Sequence, residues 1–170
     1  LASATYGYDA NGNTILSVDA NGDTTHYAYD DADRLIRIGY QDGAVVEYGY
    51  DSVGNLIRIA DGTGETSFRY DELNQPLNRQ FPNGMKVKYR YGFQQGTSFR
   101  VIVYPDGREV TQTYDASGRL AELRDGEEVT TYAYSDAGYL ISRTLPNGIV
   151  STFTYDFAGR PIVAKYRTGS

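Results

Sequence analysis

The 170-residue chain has the length of about one domain, and its 22 acidic and 16 basic residues give a net charge of −6. Such an acidic chain repels the phosphates of nucleic acids, so we expect no nucleic-acid partner. The lack of cysteine excludes disulfides, thiol nucleophiles and cysteine-ligated metals, and any histidine chemistry would depend on His26 alone. No apolar run approaches the roughly 18 residues that cross a membrane.

The composition and the spacing of tyrosines predict an all-β repeat protein. Of the 23 aromatic residues 17 are tyrosine, and 19 residues are glycine, which favours turns between strands. A tyrosine followed by a turn sequence recurs at intervals of 21, 21, 20, 21, 23, 20 and 21 residues. These repeat tyrosines are Tyr8, Tyr29, Tyr50, Tyr70, Tyr91, Tyr114, Tyr134 and Tyr155. We therefore expect one array of about eight repeats over residues 1–170, without an internal boundary.

Each repeat tyrosine begins a predicted turn. Aspartate follows it in six repeats, as Asp9, Asp30, Asp51, Asp71, Asp115 and Asp156. A residue that tolerates positive φ stands four places after the tyrosine, as Gly12, Asp33, Gly54, Asn74, Gly118, Gly138 and Gly159. The aspartate side chain can accept a bond from the backbone two residues on, and the glycine closes a type I turn. Gly92 and Ser135 replace the aspartate in two repeats, and the fifth glycine comes one place late, at Gly96.

A second turn lies about ten residues after the first in each repeat. Its glycines are Gly22, Gly43, Gly64, Gly84, Gly107, Gly126 and Gly148, often within Asn-Gly or Asp-Gly pairs that are typical of hairpins. Each repeat is thus predicted to hold two short strands and two tight turns. The strand before each repeat tyrosine has aromatic residues two apart, a pattern that only Gln112 interrupts. Because residues i and i+2 share a face of a strand, one face of the sheet is predicted to be aromatic.

These turns resemble a known family. The segments YDDADRL (29–35), YDSVGNL (50–56), YDASGRL (114–120) and YDFAGRP (155–161) are similar to the Tyr-Asp (YD) repeats of bacterial Rhs proteins, of the BC component of insecticidal toxin complexes and of teneurins. The resemblance covers nearly the whole chain. It implies that the hairpins pair side by side in one long curved sheet, part of a hollow shell that encloses a C-terminal toxin polypeptide. It also implies a secreted or cell-surface bacterial protein.

The resemblance implies a non-enzymatic structural segment whose partners are neighbouring repeats and the enclosed toxin. The self-cleaving segment of toxin-carrying members, with its catalytic aspartates, has no counterpart in these residues, so no catalytic residue is assigned. We expect no cofactor or metal. The open edges of such a strip favour self-association or curling. Two alternatives stay open: a four-bladed propeller with two repeats per blade, and a carbohydrate or cell-surface binding module that uses the tyrosine ladder.

Other candidate chemistry has a structural explanation. A catalytic pair of carboxylates would occur once, whereas these aspartates recur at equivalent turn positions, which favours turn capping. The stretches 9–13 and 19–23 alternate oxygen-bearing residues as calcium loops do, but they lack the glycine and glutamate spacing of an EF-hand. His26 alternates with Tyr27, so we expect it on the solvated face.

Overall fold

A computed structural model describes residues 3–167, and the chain divides into two compact units, Leu1–Lys86 and Val87–Ser170. The first unit contains the strands β1 (Thr5–Tyr8), β2 (Thr14–Val18), β3 (Thr24–Tyr29), β4 (Leu35–Tyr40), β5 (Val45–Tyr50), β6 (Leu56–Asp61), β7 (Gly64–Tyr70) and β8 (Pro76–Gln80). The second contains β9 (Lys86–Gln94, whose first residue precedes the unit), β10 (Thr97–Val103), β11 (Glu109–Tyr114), β12 (Leu120–Asp125), β13 (Glu128–Tyr134), β14 (Leu140–Thr144), β15 (Val150–Tyr155) and β16 (Pro161–Arg167).

Within each unit the strands are neighbours in chain order and pair in an antiparallel way. The prediction of an all-β chain of antiparallel hairpins is confirmed. The propeller alternative is wrong. A propeller blade is a separate four-stranded sheet, so β4 and β5 would lie in different blades. Instead β4 pairs with β5 through Ile38 and Val46, and β12 pairs with β13 through Leu123 and Thr130.

Two kinds of hairpin alternate along the chain. In hairpins that follow a repeat tyrosine, the strand after the turn contains one extra residue, a β-bulge: Tyr29 pairs with Leu35, but Ala28 pairs with Arg37. The unpaired residues at this place are Ile15, Ile36, Ile57, Leu77, Ala121, Ile141 and Ile162. The hairpins of the second turn, such as β4–β5, pair without a shift. The fifth repeat is the exception, since β9 and β10 pair without a bulge.

The register places the aromatic side chains on one face of each hairpin. Tyr27 lies opposite Ile38 and Tyr29 opposite Leu35, and residues directly opposite in a pair share a face. Within residues 3–167, the buried apolar side chains are those of Val101 and Val110, with 7% and 6% of their surface exposed. Stability therefore depends on contacts between neighbouring strands more than on a deep core. No helix in the described part of the chain is long and apolar enough to cross a membrane.

Candidate functional site

The repeated feature with the most specific geometry is the YD turn, defined here as a repeat tyrosine and the five residues that follow it. In all six turns that contain it, the aspartate Oδ1 accepts bonds from the backbone N–H groups two and four residues on, at 2.8–3.1 Å. Two donors that the tight loop cannot pair with strand carbonyls are thus satisfied by one carboxylate oxygen.

In five of these six turns, the second carboxylate oxygen binds the side chain five places after the tyrosine. The Nε atoms of Arg34, Arg119 and Arg160 donate to Oδ2 of the aspartate of their own turn at 2.8, 2.8 and 2.7 Å. Asn13 and Asn55 donate to the corresponding oxygen of Asp9 and Asp51 through Nδ2. Both oxygens of these carboxylates are therefore occupied by turn contacts.

These contacts favour the charged form of the aspartates. The side-chain bond from Arg34 lowers the pKa of Asp30, and the bond from its backbone N–H adds to this. For Asp115 and Asp156, the largest cause of the lowered pKa is the backbone N–H of Arg119 and Arg160, respectively. A carboxyl group that acts as a general acid near neutral pH needs the opposite shift, because it must hold a proton.

The fourth position after the tyrosine requires a left-handed backbone. Gly54 has φ of 97° there, and in two repeats the position is filled by Asp33 with φ of 56° and Asn74 with φ of 61°. Aspartate and asparagine are the side-chain-bearing residues that adopt this conformation most readily. The N–H at this position donates to the carbonyl of the turn aspartate, as Gly54 does to Asp51 at 3.2 Å. This bond closes the turn that the sequence predicts.

Five repeat tyrosines connect their hairpin to the one before it. The hydroxyl of Tyr50 donates to the carbonyl of Leu35 at 2.9 Å, and that carbonyl lies beyond the three residue pairs of the β4–β5 ladder. Equivalent bonds of 2.9–3.0 Å run from Tyr29 to Thr14, Tyr70 to Leu56, Tyr134 to Leu120 and Tyr155 to Leu140. The tyrosine hydroxyl thus satisfies a carbonyl where the strands separate toward the turn.

The rings of several repeat tyrosines are covered by the preceding repeat. The guanidinium carbon of Arg34 lies 4.8 Å from the ring centre of Tyr50, and that of Arg119 lies 4.9 Å from the ring centre of Tyr134. The ring of Tyr139 stacks on Tyr155 at 4.9 Å. Cation–π and stacked aromatic contacts of this geometry stabilise neighbouring elements.

The fifth and sixth repeats depart from the others in their sequence around the repeat tyrosine. Gly92 stands in place of the aspartate after Tyr91, and Tyr91 lies inside the longer strand β9. In the sixth repeat Gln112 replaces the aromatic residue before Tyr114, and its Oε1 accepts bonds from Nε and Nη2 of Arg100 at 2.9 and 2.6 Å. The interruption of the aromatic pattern thus provides an acceptor for an arginine that faces it.

The other candidates of the sequence remain apart from any cluster. His26 is exposed and pairs with Leu16 on β2. In the stretch 9–13 the aspartate and asparagines are bonded to each other, and among residues 3–167 no group of three His, Cys, Asp or Glu side chains could hold a metal ion. Sequence reasoning missed the inter-repeat role of Arg34 and Arg119, although both stand at the same distance from a repeat tyrosine.

Comparisons with known proteins agree with this geometry. The sequence model of the RHS Repeat family matches residues 8–45 and 134–170, and that of the Teneurin YD-shell family matches residues 41–125. Double-stranded DNA deaminase toxin A of Burkholderia cenocepacia (strain H111) is 36% identical over 99 residues, which are 58% of this chain and 7% of that protein.

Solved structures share the fold. The crystal structure of TcdB2-TccC3-TEV has a TM-score of 0.63 and 15% identity, over 98% of this chain and 10% of that chain. The Photorhabdus luminescens Tc holotoxin pore has a TM-score of 0.52 and 18% identity, over 97% of this chain and 9% of that chain. The chain thus spans about a tenth or less of the length of these relatives. With half of its residues matched by the YD-shell model and the YD turn present in its structure, the chain belongs to the YD-repeat (Rhs-repeat) family.

Proposed function

We propose that this chain is a non-catalytic wall segment of a YD shell, and that in a longer protein the shell encloses a toxin polypeptide. The observation that carries the proposal is the bond from each of five repeat tyrosines to a main-chain carbonyl of the preceding repeat. A contact that recurs at the same place in successive repeats extends a wall. A catalytic site would instead concentrate its functional groups at one place.

The state of the aspartates supports a structural role. Their carboxylates accept backbone N–H groups and, in five of the six turns, an arginine or asparagine side chain, and the pKa of Asp30 is lowered by such contacts. None of this prepares a proton donor or a nucleophile. The eight repeats serve one structural purpose in this proposal, and the repeat tyrosines, the turn aspartates and the turn glycines are its structural residues.

The enclosed partner is proposed from the relatives. The curated relative is named as a toxin, and the solved relatives include a Tc holotoxin pore, each much longer than this chain. A wall segment of such a protein would leave the producing cell, so we propose a secreted or cell-surface location in a bacterium. The chemical activity in a relative's name belongs to that protein, of which this chain matches 7%.

Protease protection of the longer protein tests the proposal. The protein that contains this segment is treated with a nonspecific protease, and survival of its C-terminal region is followed by mass spectrometry. A variant with Asp30→Ala and Asp51→Ala removes the turn acceptors of two successive repeats. The matched control is Asp42→Ala, since Asp42 lies in a second-type turn and accepts the N–H of Ala44.

We expect the C-terminal region to survive in the parent protein and in the control, and to be digested faster in the double variant. Rapid digestion of the C-terminal region in all three proteins would contradict enclosure. A glycan array with the isolated chain tests the alternative of a binding module that uses the tyrosine ladder. Selective glycan capture that is lost in Tyr8→Ala, a repeat tyrosine that is 59% exposed, would support that module.

A further inference from the structure

Five YD turns contact the YD turn of the next repeat, and in each of these contacts the type of side chain in one turn matches the type of residue in the other. Let position 0 be the repeat tyrosine, and positions 4 and 5 the fourth and fifth residues after it. Asn13, at position 5 of the first repeat, donates to Oδ1 of Asp33, at position 4 of the second, at 2.6 Å. Asn55, at position 5 of the third repeat, donates to Oδ1 of Asn74, at position 4 of the fourth, at 2.8 Å. In both contacts an asparagine at position 5 meets an aspartate or asparagine at position 4 of the next repeat.

Where position 5 is arginine or tyrosine, the next position 4 is glycine. A Cβ atom built on Gly54 would lie 3.8 Å from Nη1 of Arg34, and one built on Gly138 would lie 4.0 Å from Nη1 of Arg119. The fit is tightest at Gly159, where a Cβ atom would lie 2.9 Å from Cζ of Tyr139 of the preceding repeat.

The chemistry of the two types explains the match. A guanidinium group or phenol ring at position 5 lies over the ring of the next repeat tyrosine, so it also passes beside position 4. A Cβ atom there would touch the arginines of two turns and would overlap the ring of Tyr139 in a third, so a longer side chain has little room. Asparagine is shorter, and the oxygen that it reaches comes from an Asp or Asn at position 4. These residues provide an acceptor and tolerate positive φ.

We infer that position 5 of one YD turn and position 4 of the next form a specificity-determining pair that selects which repeat can stand beside which. In the six repeats with asparagine, arginine or tyrosine at position 5, the turn edge is then an interaction surface of one of two types, whereas Gln75 and Gly96 at position 5 of the fourth and fifth repeats belong to neither. An arginine or tyrosine surface fits a YD turn with glycine at position 4, and an asparagine surface fits one with Asp or Asn. The inference concerns contacts between repeats and holds whether or not the shell encloses a toxin.

Arg160 presents the arginine type of this surface. Its Nε donates to Asp156 at 2.7 Å, as in the turns of Arg34 and Arg119, and its side chain is 79% exposed. The partner that this surface fits is therefore a YD turn with tyrosine at position 0 and glycine at position 4, rather than one with Asp or Asn at position 4.

Two glycines with the same φ angle allow a controlled test. Gly118 and Gly159 both occupy position 4 with φ of 76°, but nothing lies within 4 Å of a Cβ atom on Gly118. The variants are Gly118→Asn, Gly159→Asn, Tyr139→Asn, and the double variant Tyr139→Asn with Gly159→Asn. Thermal unfolding of the full chain is followed by circular dichroism.

We expect Gly159→Asn to lower the unfolding midpoint by about 4 °C more than Gly118→Asn, because only Gly159 is covered by a ring. The double variant should regain much of that loss, since it recreates the pair of Asn55 and Asn74. Equal shifts for the two glycines, or a double variant whose loss is the sum of the two single losses, would overturn the inference.

Variants at Gly159 could simply unfold the last repeat, so a second set of variants tests the pair of Asn55 and Asn74 in the third and fourth repeats. Asn55→Arg places a long side chain over Asn74 and should lower the midpoint, whereas Asn55→Arg with Asn74→Gly should recover it. Amide hydrogen exchange at Asp51, whose N–H donates to the carbonyl of Asn55, gives a local readout of the same turn. Protection that is lost in the single variant and equally lost in the double variant would contradict the matched pair.

Discussion

The fifth and sixth YD turns lie next to each other in the second unit and differ in how the strand ends. In the sixth, Asp115 accepts the N–H groups of Ser117 and Arg119, and a bulge follows between Leu120 and Glu122. In the fifth, Gly92 replaces the aspartate, and pairing continues without a bulge as far as Gln94 and Thr97.

The difference shows what the turn aspartate does. By taking two N–H groups of the loop, it ends the ladder at the repeat tyrosine and fixes a five-residue turn. The fifth hairpin lacks this acceptor, and its strands stay paired up to Gln94 and Thr97. The two residues between them, Gln95 and Gly96, form a tight turn with φ of 51° and 81°. The seventh repeat has Ser135 in place of the aspartate, and its Oγ accepts the N–H of Tyr139 at 3.2 Å. That hairpin keeps its bulge, so an acceptor is needed rather than a charge.

The largest expected effect comes from adding a side chain at Gly92, the residue that follows the repeat tyrosine of the fifth turn. A Cβ atom on Gly92 would overlap the ring of Phe99, which lies opposite in the pair. Gly92→Val should therefore lower the free energy of unfolding by about 1–3 kcal/mol, measured by urea denaturation. Gly39→Val is the control, because nothing lies within 4 Å of a Cβ atom on Gly39. Equal losses in the two variants would show that the ring does not matter.

Removal of the acceptor in the sixth turn should have the next largest effect. Asp115→Ala removes the partner of two backbone N–H groups and of Arg119, so we expect a clear fall in the thermal unfolding midpoint. Asp115→Ser keeps an acceptor, as Ser135 does in the seventh repeat, and should lose less. If serine and alanine had the same effect, the acceptor would not be what defines the turn.

The tyrosine hydroxyl of a regular YD turn should contribute less. Tyr50→Phe removes the bond to the carbonyl of Leu35, and we expect a loss of about 1 kcal/mol in the free energy of unfolding. Tyr48→Phe is a matched control on the same strand and face, since the structure shows no hydrogen bond for its hydroxyl within residues 3–167. If Tyr48→Phe lowered the free energy of unfolding as much as Tyr50→Phe, the loss would come from removing a hydroxyl group on this face and not from the bond to Leu35.

The charged turns should also make stability depend on pH, in contrast to the fifth turn, which has no aspartate. The pKa of Asp115 is lowered in the folded chain, from an ordinary value of about 3.8. Its stabilising effect is therefore complete above that value and is lost as the pH falls through the lower folded pKa. The difference in unfolding midpoint between the parent and Asp115→Asn should shrink below about pH 3.8. A constant difference from pH 7 to pH 2 would contradict this.

The smallest effect is a gain in the fifth turn. Gln95 adopts a left-handed backbone that asparagine tolerates better, and Asn-Gly is a preferred sequence for two-residue hairpin turns. Gln95→Asn should raise the free energy of unfolding by about 0.5 kcal/mol. Gln94→Asn, in the strand beside it, should give no gain. A gain from both changes would point to a general effect of asparagine rather than to the turn.

Much of the fold follows from local sequence signals. The tyrosine spacing and the turn glycines predict the hairpins, because positive φ and strand alternation are properties of short segments. The bulge was missed, although it leaves a trace. Leu35 and Ile36 are adjacent apolar residues, and alternation resumes only after them, which is what one unpaired residue produces.

The contacts between repeats could not be predicted in the same way. The bond from Tyr50 to Leu35 joins residues that are 15 apart, and its geometry depends on where the two strands separate. The pairing of Arg100 with Gln112 likewise depends on the register of β10 and β11. Sequence position identifies these residues as equivalent members of a repeat, and only the register shows which of them meet.

The length of the fifth hairpin has a consequence for how such a chain can vary. This repeat contains 23 residues from one repeat tyrosine to the next, yet the hairpin that follows it has its bulge at the usual place. The additional residues project at the turn and leave the register of β11 and β12 intact. The YD-turn edge is therefore a place where loops or epitope tags can be inserted, whereas one residue added within a strand would move its side chains to the opposite face.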